Sequence, residues 1–258
     1  MYREELKTIA GTAKKKNKML TKTPAKYALS CMLGGVYVAF GTMLSYSMGA
    51  GLQTTGSAYA YKIVMGLAVG IALCLVIFAG ADLYTSNNMV MAIWATEKET
   101  TWIDAFKLWG FCWIGNLIGS VIAGLLFVNA GLFNDSAAEF IVHYVEMKTG
   151  LTLGQMLIRG ILCNMLVCLA SWCSYKMKNE AAKVLMIAWC VFAFFTAGYE
   201  HSIANMGLFA IGLFLPQGSV LALSKVITSL IVVTIGNTIG GAVIVGLSYV
   251  FMTDKEAK

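Results

Sequence analysis

Gly198-Tyr199-Glu200-His201-Ser202-Ile203-Ala204-Asn205-Met206 is the stretch whose reading decides the fold of this chain. It lies between two apolar runs, Val184 to Ala197 and Gly207 to Leu215. An acid, an imidazole and a carboxamide therefore fall in the middle of a membrane-length segment. Ionisable groups are costly at that depth and face a protein interior or a water-filled path. Each flanking run is shorter than the ~20 apolar residues needed to cross a bilayer. The pattern predicts two half-helices meeting at a polar break near the midplane.

Composition points the same way. Of 258 residues, 59% are hydrophobic and 12% charged, and the mean hydropathy is +0.74. No soluble domain of this size hides so much apolar surface, so the chain reads as an all-α membrane protein with the lipid bilayer as its surroundings. Its 26 glycines against 2 prolines suit closely packed transmembrane helices. The net charge of +6 is mostly N-terminal: Arg3, Lys7, Lys14, Lys15, Lys16, Lys18, Lys22 and Lys26 lie within residues 1–26. That is a membrane-surface flank on the cytoplasmic side, not a nucleic-acid site. A polar start of more than twenty residues predicts no cleavable signal peptide. All seven cysteines sit in apolar runs without a C-x-x-C pair and read as core. With only His143 and His201 as imidazoles, no metal or haem site and no cofactor is expected.

Residues 1–22 carry Leu6, Ile9, Ala10 and Ala13 at helical spacing, predicting a basic amphipathic helix along the cytoplasmic interface. Six apolar segments follow, at 27–49, 61–81, 106–131, 153–175, 183–198 and 222–252, with shorter apolar pieces at 88–95 and 206–215. Lys98 and Lys107, then Lys176, Lys178 and Lys183, and finally Lys255 and Lys258 mark the basic loops and tail. Residues 50–60 carry no charge, and Lys148 is the sole basic residue of 129–152. The positive-inside rule puts both termini in the cytoplasm, in agreement with an even number of spans. The expected organisation is a basic N-terminal helix (1–26), a pore domain (27–252) and a short cytoplasmic tail (253–258).

The pore domain repeats itself. Gly80-Ala81-Asp82-Leu83-Tyr84-Thr85-Ser86-Asn87 aligns with Gly198-Tyr199-Glu200-His201-Ser202-Ile203-Ala204-Asn205, and Gly115-Asn116-Leu117-Ile118-Gly119 with Gly236-Asn237-Thr238-Ile239-Gly240. Repeat one spans about 27–131 and repeat two about 153–252. Three spans per unit is an odd number, so the halves run in opposite directions: an inverted 3+3 repeat of six transmembrane helices.

Two polar breaks from opposite halves should meet near the bilayer centre, where free backbone groups survive only in protein or beside a cavity. At the first, Asp82 to Asn88 reads as a polar loop in which Thr85 offers a hydroxyl. At the second, His201 offers a ring nitrogen that can titrate near neutral pH. Asp82 and Glu200 are placed to cap half-helix starts and read as structural. His201 alone faces whatever passes. Asn164, inside the fourth span, could reach across to it. Lys148 fits either a snorkelling anchor or a collector of anions at a pore mouth.

These motifs resemble the formate/nitrite transporters, and Gly160-Ile161-Leu162-Cys163-Asn164-Met165-Leu166-Val167-Cys168-Leu169-Ala170 strengthens the likeness. The resemblance covers nearly the whole membrane part, and its general likeness is nearest the hydrosulfide-channel branch. It implies an aquaporin-like fold with broken second and fifth helices, a homopentamer with one pore per protomer, and small monovalent anions as substrates. By the same resemblance His201 matches the central pore histidine, Thr85 the loop threonine, Asn164 the pore asparagine and Lys148 the vestibule lysine. Leu73 and Leu83 match one hydrophobic constriction and Phe194 the other. Val69 stands where the inner constriction often has Phe, and Tyr84 replaces a common Phe. The resemblance also makes the N-terminal helix a second gating element.

The expected function is passive or proton-coupled movement of hydrosulfide, nitrite or formate. A bare charge is expensive between two dry collars, and a proton or positive charge from His201 would lower that cost. The break at 82–88 is the expected gate. The alternative is an aquaporin-like pore for neutral small solutes. That class expects Asn-Pro-Ala at each break, whereas this chain has Asn87-Asn88-Met89 and Ala204-Asn205-Met206, with Pro24 and Pro216 elsewhere. A membrane redox enzyme would need paired His ligands or a thiol motif. No enzymatic activity is expected.

Overall fold

A computed structural model describes residues 2–53 and 60–253. The tail lysines Lys255 and Lys258, and residues 54–59 of the uncharged stretch, lie outside the described residues. Ten principal helices follow one another: α1 (Arg3–Lys22), α2 (Pro24–Gln53), α3 (Ala60–Gly80), α4 (Tyr84–Thr96), α5 (Trp102–Asn129), α6 (Asp135–Thr149), α7 (Leu153–Lys176), α8 (Glu180–Thr196), α9 (Ser202–Phe214) and α10 (Leu223–Phe251).

Five of these (α2, α3, α5, α7 and α10) are long and apolar enough to cross a membrane. Exposed Leu67, Ile103, Phe106, Leu126 and Trp189 face outward, as hydrocarbon-facing side chains do. The chain is a multi-pass, all-helical membrane protein. The apolar segment expected at 183–198 is α8, with 17 residues. At ~1.5 Å per residue that is short of a hydrocarbon core about 30 Å thick.

Local chemistry explains the helix starts. Thr101 accepts from Asp104 N–H, Asn134 from Ala137 N–H and Asn179 from Ala182 N–H. Thr152 and Gln155 close a reciprocal capping box on α7. Without a hydrophobic drive between helices in lipid, close backbone approach takes over. α2 packs on α5 and α7 on α10, and a Cβ on Gly119 or Gly240 would collide with the Met32 or Ile161 carbonyl of the facing helix. α4 lies against α10, and α9 against α5.

Three expectations change. Residues 82–88 are not a loop: only Ala81–Leu83 separates α3 from α4, and Thr85, Ser86, Asn87 and Asn88 form the first turns of a buried helix. Residues 135–149, read as connecting loop, form α6, whose buried Ala138, Ile141, Val142, Val145 and Thr149 keep helical spacing. Helix α1 is present with its expected stripe of Leu6, Ile9, Ala10 and Ala13. That stripe is buried against α4 and α2, so it packs on protein and not on lipid.

Candidate functional site

Both interruptions are built to one plan. Gly80 (φ 80°) ends α3, and Gly198 (φ 78°) lies just beyond α8. A side chain is disfavoured in that left-handed region, so glycine lets the chain turn into a short extended link. Asp82 N–H donates to the Ser30 carbonyl, and Glu200 N–H to the Arg159 carbonyl (both 3.2 Å). The link is then held by an asparagine from a neighbouring helix. Asn116 donates to the Asp82 (2.9 Å) and Cys31 (2.6 Å) carbonyls while accepting from Tyr84 N–H (2.9 Å). Asn237 does the same for the Glu200 (2.9 Å) and Gly160 (2.7 Å) carbonyls and Ser202 N–H (2.9 Å).

The two acids are therefore not helix caps, contrary to the sequence reading. Leu83 precedes α4 with no side-chain cap, and the cap of α9 is His201 itself. Amides already serve the freed N–H groups, so the carboxylates are turned to cations. Asp82 pairs with Lys16 of α1 (2.7 Å) and also accepts from Ser30, Asn87 and Tyr27. Glu200 takes both oxygens to Lys148 of α6 (2.9 Å) and accepts from Asn205 (2.7 Å). Burial opposes the charge on Lys16, but the adjacent Asp82 carboxylate outweighs it, and its pKa lies above that of an ordinary lysine.

His201 joins the halves. Its Nδ1 accepts from Ala204 N–H (3.0 Å) and its Nε2 lies 3.1 Å from Thr85 Oγ1. The network assigns the proton of the neutral ring to Nε2, donating to Thr85. A second proton on Nδ1 would have to displace the Ala204 N–H and uncap α9. The ring stacks on Phe194 (centroids 5.8 Å apart, planes at 14°). Asn164 does not reach His201. Its amide N–H₂ is directed at the Thr85 and Asn237 carbonyls and Asn88 Oδ1, so it holds Thr85 in place.

Cavities line up across these residues. One vestibule of ≈ 410 Å³ includes Lys16, Leu83, Ser86 and Lys183. Leu83 also borders a small space of ≈ 20 Å³ with Val69, Leu73, Phe194 and His201. That is room for about one water, with mostly apolar walls. Phe194 and His201 in turn border a space of ≈ 10 Å³ shared with Tyr46 and Lys148. Tyr46 and Lys148 open into a second vestibule of ≈ 630 Å³. All four expected constriction residues thus surround one cavity with His201, and Lys148 stands between that site and the larger vestibule.

A family model described as formate/nitrite transporter matches residues 3–251. The chain belongs to that family. The nitrite transporter NirC of Escherichia coli (strain K12) is 34% identical over 256 residues, covering 99% of this chain and 94% of that protein. A solved FNT family ion channel superposes with a TM-score of 0.92 at 32% identity, covering 97% of this chain and 99% of that one. A pentameric formate channel with formate bound gives 0.79 at 26% identity, covering 90% and 98%. Such relatives are transporters and channels; this is a membrane transport protein and not an enzyme.

Several site residues escaped the sequence reading. Asn116 and Asn237 stood in view as repeat markers without a role. Lys16 was one of a lysine run, although it continues the spacing of Leu6, Ile9 and Ala13 on the buried face of α1. Lys62 and Arg159, which line the larger vestibule, carried no signal at all.

Proposed function

We propose that the chain conducts small monovalent anions of weak acids, such as nitrite, formate and hydrosulfide, along the line of cavities past His201. The observation that carries this reading is the order of the spaces. Two wide vestibules lined in part by lysines are separated by pockets too small for more than about one water. The names of the nitrite and formate relatives support the same substrate class. The matching breaks at Gly80 and Gly198 support six spans in an inverted 3+3 repeat, with broken second and fifth helices. In this reading the α1 side is cytoplasmic, both termini lie there, the protein sits in the cell membrane, and five copies assemble with one pore each.

Lys16 and Lys148 line the two mouths, each paired there with a buried acid. Between the collars of Leu73, Leu83 and Val69 and of Phe194 the ion is stripped of water, which is expensive for a full charge. His201 then turns its Nε2–H from Thr85 to the anion, supplying a hydrogen bond where water cannot. Thr85 and Asn164 keep that donor aimed. Protonation of the anion from solvent lowers the barrier further, so flux of weak-acid anions rises as pH falls. Proton transfer from His201 is the second route. His201→Asn separates the two, because Asn can cap α9 but cannot carry the proton. Retained pH dependence excludes the histidine as proton source.

Uptake into proteoliposomes of formate, nitrite, hydrosulfide, chloride and glycerol tests the whole reading. Anion uptake without glycerol is expected. Glycerol uptake without anions would establish the neutral-solute alternative instead.

A further inference from the structure

The larger vestibule carries more positive charge than its expected lysine. Lys62, Lys148 and Arg159 all line it. Lys148 is committed to Glu200 at 2.9 Å. Among the described residues neither Lys62 nor Arg159 has a carboxylate within ion-pair distance. The Arg159 guanidinium makes one long hydrogen bond, from Nη1 to the Gly198 carbonyl at 3.5 Å, and its other N–H groups have no acceptor among the described residues. Its backbone carbonyl accepts from Glu200 N–H at 3.2 Å. The free fork is thus anchored to the interruption that carries His201, in the last wide space before the Phe194 constriction.

We propose that Arg159 is a binding site for planar anions presenting two oxygens side by side, the carboxylate and nitrite class, and so sets specificity at this mouth of the pore. A guanidinium offers two parallel N–H donors that match two oxygens of one anion. Hydrosulfide or chloride presents a single atom, on which two parallel N–H donors cannot both align. Lys62, a point charge on the same wall, attracts any anion alike. The site collects the planar class beside the break and raises its concentration where the ion must shed water. This inference rests on the anion-pore reading and adds a chemical preference to it.

Arg159→Lys keeps the charge and removes the fork. Initial uptake is measured in proteoliposomes at fixed ionic strength, with assembly checked by size-exclusion chromatography. The half-saturating concentration for nitrite and formate should rise about three- to ten-fold, as expected for one lost charge-assisted bond in a wet site. That for hydrosulfide or chloride, whichever the unaltered protein passes, should not change. An equal change for all anions, or none, overturns the proposal.

A second measurement needs neither a variant nor flux. Arg159 and Arg3 are the two arginines of the chain, and Arg3 is held by Glu97 at 2.7 Å. Labelling by an arginine-selective dicarbonyl, read by peptide mass spectrometry, should slow at Arg159 in nitrite or formate but not in chloride of equal ionic strength. Protection by all three, or by none, overturns the site. Absence of any anion flux in the unaltered protein would sink the pore reading, and the labelling result would still decide the site.

Discussion

The interruption after Gly80 and the one after Gly198 are the same device used for different ends. Each has a glycine at positive φ, a link gripped by an asparagine three ways, an acid paired with a lysine, and a second asparagine on that acid. They differ in residue type at six of the eight aligned positions, and two of those differences meet at the centre. Where the second has His201, the first has Leu83; where the first has Thr85, the second has Ile203. The shared Gly, acid and Asn hold the backbone together, and two of the unshared positions meet at the Thr85–His201 hydrogen bond in the middle. Repetition therefore marks scaffold here, and departure from repetition marks chemistry.

Substitutions at the gripping asparagines should have the largest effect. Asn116→Leu and Asn237→Leu each strand a buried N–H and the carbonyl of the link, at about 1–3 kcal/mol per unsatisfied group. Comparable losses in thermal stability of the detergent-solubilised protein are expected. A large loss in only one would show that the two interruptions are not built alike.

Next come the lysines, where the comparison predicts an inequality. Among the described residues, Lys148→Met leaves Glu200, 2% exposed, with Asn205 as its remaining side-chain donor, whereas Lys16→Met leaves Asp82 with Tyr27, Ser30 and Asn87. Removing one partner of a buried pair costs about 3–5 kcal/mol. Lys148→Met should approach that range and Lys16→Met should fall below it. The opposite order in unfolding midpoints would refute this account of the two acids.

His201→Ala should lower stability by ~1 kcal/mol through loss of the α9 cap, a smaller structural effect than either class above. Anion flux or its pH dependence should nevertheless change, while Leu83→Ala should widen the constriction without altering the pH profile. Identical flux at every pH from 5 to 8 in wild type and His201→Ala would remove His201 from the mechanism.

The smallest expected effect is that of pH on the Lys16–Asp82 pair. The lysine pKa is raised in the folded protein. Its contribution is therefore complete below the ordinary lysine value of ~10.4 and fades only above it. Melting temperatures of wild type and Lys16→Met should keep a constant gap between pH 6 and 9.

The class of the protein was legible because the bilayer leaves few choices. Runs of apolar residues must become helices, and His201 could not sit in one without a functional reason. The repeated Gly, acid and Asn spacing likewise exposed both interruptions. The polar run at 82–88 misled, because a polar sequence signals a loop in water. Inside this protein Thr85, Asn87 and the side-chain oxygen of Asn88 meet partners from α1, α5 and α7, and the run stays helical. Helix α6 was hidden for a related reason: with fewer apolar residues than a span, its six buried positions looked like connection.

By itself the sequence determined that this is a membrane-embedded helical protein, where its chain is interrupted, and that an imidazole belongs at the core of the second interruption. Those follow from hydropathy and spacing, which act locally along the chain. Only the tertiary structure decided what each polar group does. The two acids hold lysines instead of capping helices, Asn164 secures Thr85, and His201 caps α9 while aiming its other nitrogen across the repeat. Each assignment depends on partners 52 to 116 residues away or on a competing amide already in place. Hydrogen-bond donors are limited in number, and which acceptor wins one is settled only when the helices pack.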